Sequence, residues 1–312
     1  MNKMAPLVSV IVTTFNRREL ARRAVKSVLS QTYENFECIV VDDRSTDGTL
    51  DNLMDLAQND ERVRLISHIE NRHLSKSRNT GIFVSSGEFV AFLDDDDEWL
   101  SSKIEKQIEL IKNSSSELGL VYCWMNYYDG NSKKIKERHP NHRGFIFSKV
   151  LESQPLGNGS TFLVKKNVFE DVGYFDEDLK RGIDGDFIRR LCYKYKVDFV
   201  PAVLVKYYTD HGNVRITRED RSGILNAIES ESLKLDKFKN ELMSFPKQKA
   251  NIIASIGLLN LKLNNWSEGK NYFIKAIRIY PFSSKIYYFI LKSLKHIISE
   301  MIIINYKKSS SR

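Results

Sequence analysis

Cysteine is scarce in this 312-residue chain: Cys38, Cys123 and Cys192 stand far apart and none belongs to a CxxC pair. That spacing excludes a disulfide framework and a zinc site, and fits a reducing cytoplasm. Glycine-rich phosphate loops are missing as well. After the first apolar run come Thr13-Thr14-Phe15-Asn16-Arg17 and no GxGxxG, so the dinucleotide fingerprint is absent. No GxxxxGKS/T occurs either, which excludes a P-loop. The apolar runs near the carboxyl end are short and Glu300 interrupts them, so no membrane-spanning helix is expected. The short stretch Met1 to Pro6 gives no expectation of a signal peptide.

Hydrophobic residues make up 42% and charged residues 28% of the chain, an ordinary composition for a water-soluble protein. The length suits one large domain, or one domain with an appendage. The net charge of +8 is unevenly placed: residues 225–312 hold 15 Lys/Arg against 6 Asp/Glu, and the rest holds 33 against 34. A nucleic-acid binder would set a basic, aromatic-laced patch at its working surface. The candidate site here is acidic, so nucleic acid is not an expected partner.

Apolar strands alternate with amphipathic helices in the first part of the chain. Residues 8–13, 37–41, 63–68 and 89–93 read as strands. Helices are expected over 18–31, with Leu20, Ala24, Val25, Val28 and Leu29 on one face, from the Ser45-Thr46-Asp47-Gly48 turn to residue 58, and over 75–85. This alternation implies right-handed crossovers and a parallel sheet, with ligands gathered outside the carboxyl ends of its strands. Further strands are expected at 118–124, after the glycine-rich turn at 157–164, and at 199–207. A polar loop over 179–185 leads to a helix at 186–195. From Gly223 the chain turns helical and basic. The fold class is α/β, a Rossmann-like mixed, mainly parallel sheet flanked by helices, with domains at 1–222 and 223–312.

The strand at 89–93 runs into Asp94-Asp95-Asp96-Asp97. Four adjacent carboxylates repel one another, so positive charge is expected among them. Hard divalent cations take oxygen ligands, and Mg²⁺ typically combines one or two carboxylates with substrate phosphates. The run therefore points to a metal–phosphate site at the carboxyl edge of the sheet. With no glycine cradle, metal and arginine would hold the diphosphate.

Five ordered segments carry a family resemblance: Val8 to Arg17, Val40-Val41-Asp42-Asp43-Arg44-Ser45-Thr46-Asp47-Gly48-Thr49, Ser77-Arg78-Asn79-Thr80-Gly81, Phe92 to Asp97, and Val172-Gly173-Tyr174-Phe175-Asp176. Together they resemble the family 2 inverting glycosyltransferases, which have the nucleotide-diphospho-sugar transferase (GT-A) fold. The likeness covers residues 7–215. It implies that Thr13 and Asn16 line a nucleotide pocket and that Asp42 or Asp43 contacts the base or ribose. Asp42 as a cap of the following turn is the plainer alternative. Arg78, opening the helix before the metal strand, would contact the donor nucleotide or its phosphates. A surface arginine in an i,i+4 pair is the alternative. Asp94 would lean toward the ribose and Asp96 would ligate Mn²⁺ or Mg²⁺. Asp95 fills the variable slot and is counted with the donor-binding set, while Asp97 would cap a helix over 98–112. His73 departs from the family pattern and adds a side chain near the pocket.

The family's catalytic base aligns with Asp184 in Gly182-Ile183-Asp184-Gly185-Asp186, where the usual Glu-Asp pair is Ile183-Asp184. Asp186 matches a second acidic position and is grouped with the acceptor region, together with Gly159 and Ser160. Arg190 would support the acid loop or phosphate, or is an ordinary helix-face arginine. His211 stands where the family often has a histidine reaching the metal or diphosphate. The reaction implied is transfer of a sugar from a nucleotide-diphosphate sugar, by default a UDP-sugar, to a hydroxyl of a glycan or lipid-linked glycan in bacterial surface polysaccharide synthesis. A nucleotidyltransferase and a helical-repeat adaptor are the competing readings. The first lacks its glycine-rich basic loop, and intact Asp94, Asp96 and Asp184 speak against the second. Residues 252–281 look like one tetratricopeptide-like hairpin. Residues 285–308 mix Ile, Tyr, Phe and Leu with lysines, which suits an amphipathic helix on anionic lipid. Peripheral contact with the inner face of the plasma membrane is expected there, against a helical cap on the catalytic domain as the plainer reading.

Overall fold

The computed structural model describes residues 5–112, 114–209 and 220–293. His211 and the part of the basic tail beyond residue 293 lie outside the described residues. The chain divides into two compact units, one of residues 1–179 and 183–213, the other of residues 180–182 and 214–312.

In the first unit, β1 (Val8–Thr14), β2 (Phe36–Asp42), β3 (Val63–Ser67) and β4 (Phe89–Asp94) pair in parallel in the order β3-β2-β1-β4. β1 is rich in β-branched residues and all seven of its positions are buried, as a strand covered on both faces requires. The crossovers are α1 (Arg18–Leu29), α2 (Asp51–Asn59) and α3 (His73–Val84). α1 buries Ala21, Ala24, Val25 and Val28, a stripe at helical spacing. α3 instead turns small and polar residues inward, and at Gly81 it nearly touches β1. A Cβ there would lie 2.5 Å from Ile11 Cγ2.

The later strands make the sheet mixed. β5 (Glu98–Trp99) follows β4 directly, and α4 (Lys103–Ile111) leads to β6 (Leu118–Tyr128) and its partner β7 (Lys134–Arg138). α5 (Phe147–Val150), β8 (Leu163–Lys165) and α6 (Asn167–Val172) come next, then α7 (Ile183–Lys194) and β9 (Lys196–Tyr208). β8 lies antiparallel between β4 and β6, β6 is parallel to β9, and β5 ends the order β3-β2-β1-β4-β8-β6-β9-β5. The helix expected over 98–112 starts later, at Lys103, because Glu98 and Trp99 pair with Lys206 and Val205 of β9 and Trp99 is buried. Tertiary pairing here overrides a local helical preference. The helix expected at 186 begins earlier, at Ile183, which places Asp184 in its first turn.

The second unit contains α8 (Arg221–Lys237), α9 (Pro246–Lys262) and α10 (Trp266–Ile279). α9 and α10 approach so closely that a Cβ on Gly269 would lie 2.5 Å from Leu261 Cδ2. Ala250, Ile253, Ala254, Leu261, Phe273, Ala276 and Ile286 form the unit's core. Among the described residues no helix is long and apolar enough to cross a membrane.

The close seat of α3 on β1 has a measurable consequence. Gly81→Val should lower stability by about 2 kcal/mol through overpacking against Ile11. Urea unfolding reads this as a lower midpoint at unchanged slope, and an unmoved midpoint contradicts the packing.

Candidate active site

The polar residues converge at the carboxyl ends of β1, β2 and β4, within the first unit. Arg78 is their centre. α3 begins at His73, so Arg78 lies in its second turn and not at the helix amino terminus, which corrects the expectation of an anion site built on free helix N–H groups. Its side chain is almost fully buried; Nη1 donates to Asp184 Oδ1 at 2.5 Å and Nη2 to Asp94 Oδ1 at 2.8 Å. The guanidinium carbon lies 5.1 Å from the Phe175 ring centre and 5.6 Å from that of Phe92. Asn79 fixes Phe175, donating from Nδ2 to its carbonyl and accepting its N–H at Oδ1. Two of the motif segments thus act as one unit. Burial lowers the pKa of Arg78, but attraction to Asp184 and Asp94 outweighs it and the net shift is upward.

Around this arginine the acid run is crowded. Burial raises the pKa of Asp94 against the pull of Arg78, and it pushes Asp95 up to about 6 against the pull of Arg17. Asp97 is raised well above the usual carboxylate range by burial, then by repulsion from Asp96 and Asp94. It caps no helix, contrary to expectation. Its Oδ2 accepts from Ser160 Oγ at 2.6 Å and Asn158 Nδ2 at 2.8 Å, and its Oδ1 is buried without a partner. Oxygens of Asp94, Asp96 and Asp97 lie within 4.8 Å of one another. An all-carboxylate donor set with a buried orphan oxygen suits a hard divalent cation.

Gly159 and Ser160 lock this run to the candidate base. Gly159 N donates to Asp184 Oδ2 at 3.1 Å, and a Cβ on Gly159 would sit 2.6 Å from Arg78 Nη2. Ser160 Oγ accepts from Asp94 N at 3.1 Å. The turn itself is anchored by Trp99 Nε1 on Ser160 O and by Gln107 Nε2 on the carbonyls of Val121 and Thr161. Asp186 is buried and paired with Arg190 at 2.9 Å. Arg190 also donates to the carbonyls of Val172, Gly173 and Tyr174, so it braces the turn that carries Phe175. Asp184, by contrast, keeps 25% of its side chain exposed.

At the far side, Asn16 adopts φ 51° and its Oδ1 accepts from Thr46 N at 2.7 Å, tying the β1 loop to the β2 loop. Thr13 is buried beside it at the end of β1. Asp42 does two things. Its Oδ2 accepts from Ser45 N and Ser67 Oγ, which caps the turn, and its Oδ1 is buried and has no partner. Asp43 holds the start of α3, accepting from Arg72 N and His73 N and contacting His68 Nδ1. His73 is exposed, with φ 64°. Arg17 went unassigned in the sequence. Its Nη1 lies 2.6 Å from Asp95 Oδ1 and 3.0 Å from Asp96 Oδ2. The signal was the charge excess of four aspartates; nothing in the linear pattern says which arginine reaches them.

Comparison with known proteins follows the same lines. The sequence profile of glycosyl transferase family 2 matches residues 9–173. TuaG of Bacillus subtilis, a glycosyltransferase provisionally assigned to teichuronic acid biosynthesis, is 42% identical over 130 residues, covering 42% of this chain and 52% of TuaG. WfgD of Escherichia coli, a UDP-Glc:alpha-D-GlcNAc-diphosphoundecaprenol beta-1,3-glucosyltransferase, is 32% identical over 152 residues, covering 48% of this chain and 57% of WfgD. The matched parts thus span little more than half the length of these two relatives. The mannosyltransferase PcManGT of Pyrobaculum calidifontis, solved with GDP-Man and Mn²⁺, superposes with a TM-score of 0.59 over 97% of this chain and 81% of its own, at 18% identity. At that identity the likeness bears on the fold.

The central ion triad sets a stability expectation. Arg78→Ala leaves Asp94 and Asp184 facing each other without their shared cation, and should cost about 3 kcal/mol in urea unfolding. A variant as stable as the parent would show that the triad does not organise the site.

Proposed function

The chain belongs to glycosyl transferase family 2, and from that premise we propose that it transfers a sugar from a nucleotide-diphosphate sugar, UDP by default, to an acceptor hydroxyl with inversion at the anomeric carbon. One observation carries the reading: Asp184, partly exposed, is joined to the acid run through Arg78 and the Gly159 amide. A base and a cation-ready carboxylate cluster are thereby held at fixed separation, as a displacement with an anionic leaving group requires.

Asp184 takes the proton of the acceptor hydroxyl. The acceptor oxygen bonds to the anomeric carbon as the bond from that carbon to the diphosphate oxygen breaks, and the electron pair departs with the nucleoside diphosphate. A divalent ion, Mn²⁺ or Mg²⁺, held by Asp96 beside Asp94 and Asp97, would stabilise the charge growing on that diphosphate. Arg78 would contact the donor nucleotide or its phosphates, and its two ion pairs fix Asp94 and Asp184. Asp42, whose Oδ1 has no partner, would accept a base N–H such as uracil N3–H, with Thr13 and Asn16 lining the nucleotide pocket. Asp43 supports this pocket through α3. His211 keeps its expected role at the metal or diphosphate, and Gly159, Ser160 and Asp186 frame the acceptor side.

A glycan or lipid-linked glycan acceptor in bacterial surface polysaccharide synthesis is favoured by what TuaG and WfgD are named for. The catalytic domain is assigned to 1–222 and the helical extension to 223–312. In the extension Phe282, Tyr288 and Leu291 are exposed, near Lys285 and Lys292, which favours contact with the inner face of the plasma membrane.

Two measurements test these assignments. Asp184→Ala should abolish transfer, scored as nucleoside diphosphate released from a panel of nucleotide sugars with and without chelator, while nucleotide binding persists. Joint loss of binding and transfer would place Asp184 in the donor pocket instead. Sedimentation with anionic liposomes should retain the intact chain in a salt-sensitive way and release a chain truncated after residue 222. Equal behaviour of the two removes the membrane assignment.

A further inference from the structure

Arg17 occupies a position that helix stability does not account for. It is the residue just before α1, where Ser, Thr, Asp or Asn commonly accepts the first free N–H groups and where the helix's positive end disfavours a cation. Its side chain makes no capping hydrogen bond. The backbone is pinned on both sides: Arg17 N donates to Thr49 Oγ1 at 3.2 Å, and its carbonyl accepts from Ala21 N at 2.8 Å. From this fixed base a single nitrogen, Nη1, reaches both Asp95 and Asp96, and the three side chains are 19%, 5% and 15% exposed. Asp96 is the carboxylate assigned above to the divalent ion.

We propose that Arg17 is a positioning residue that stands in for the divalent ion on the Asp95–Asp96 turn and thereby couples metal binding to nucleoside-diphosphate binding. The inference rests on the donor-site reading given above. A guanidinium and a dication on one carboxylate repel, so metal alone must weaken the Arg17 contact. A diphosphate arriving with the metal offers the displaced guanidinium oxygens of matching geometry. Metal and nucleotide then favour each other by the same factor in either order of addition.

The test is Mn²⁺ titration of the full chain by the electron paramagnetic resonance signal of free Mn²⁺, with and without UDP or GDP. In Arg17→Ala, Mn²⁺ alone should bind about tenfold tighter, and the gain on adding nucleotide should shrink by a similar factor. Arg17→Lys, which keeps the charge, should stay near the parent. A merely structural role would weaken Mn²⁺ binding in the alanine variant. If thermal melting shows that variant unfolded, Arg17→Gln, which retains the stem, takes its place. A folded variant that binds Mn²⁺ no tighter than the parent, or keeps the full nucleotide gain, overturns the proposal and leaves the donor-site reading standing. A parent chain that binds neither Mn²⁺ nor nucleotide overturns both.

Discussion

A guanidinium taken out of water must be matched by charge and hydrogen bonds, because the desolvation of one ion alone amounts to several kcal/mol. Arg78 meets this condition with Asp94 from the end of β4, Asp184 from the first turn of α7, and the faces of Phe92 and Phe175. The partners come from three parts of the chain: β4 supplies Asp94 and Phe92, α7 supplies Asp184, and the turn after α6 supplies Phe175. Asn79 then fixes Phe175, Gly159 leaves room for the guanidinium, and Ser160 ties the same turn to Asp94. One buried cation thereby gathers β4, α7 and the turns that carry Phe175 and Gly159.

The acid run is the counterpart of that constraint. Arg17 and Arg78 face Asp94, Asp95, Asp96 and Asp184, while Asp97 faces Ser160 and Asn158 and keeps an unpaired oxygen. Burial and mutual repulsion push Asp94, Asp95 and Asp97 upward in pKa. Such a cluster is poised to accept more positive charge, which is the electrostatic condition for holding a divalent ion and an anionic leaving group together.

Much of this was legible in the sequence because it is local. The β-branched run of β1, the apolar stripe of α1 and the apolar run of β4 ending in aspartates each announce their own structure. What escaped depends on contacts between distant segments. Glu98 and Trp99 read as helix until β9 pairs with them. Asp97 reads as a cap until Ser160 and Asn158 surround it, and Arg78 reads as a helix-start anion site until α3 is seen to begin at His73. Asp42 and Asp43 are indistinguishable in the linear pattern; only the hydrogen bonds separate an aspartate with a spare oxygen from one that is consumed by the start of a helix. His211 lies outside the described residues, so its placement rests on the family pattern.

The strand order carries one more implication. β4 and β5 are joined by Asp95, Asp96 and Asp97 alone, yet β8, β6 and β9 lie between them in the sheet. Four interstrand steps of about 4.8 Å would separate the two strands by roughly 19 Å in a flat sheet. The stretch from Asp94 to Glu98 reaches about 14 Å at full extension. The sheet must therefore bend until its two flanks are within the reach of this tether. The carboxylates and the curvature of the scaffold are one mechanical variable: lengthening the aspartate run by a residue would slacken the arc as well as shift the carboxylates relative to Arg17 and Arg78.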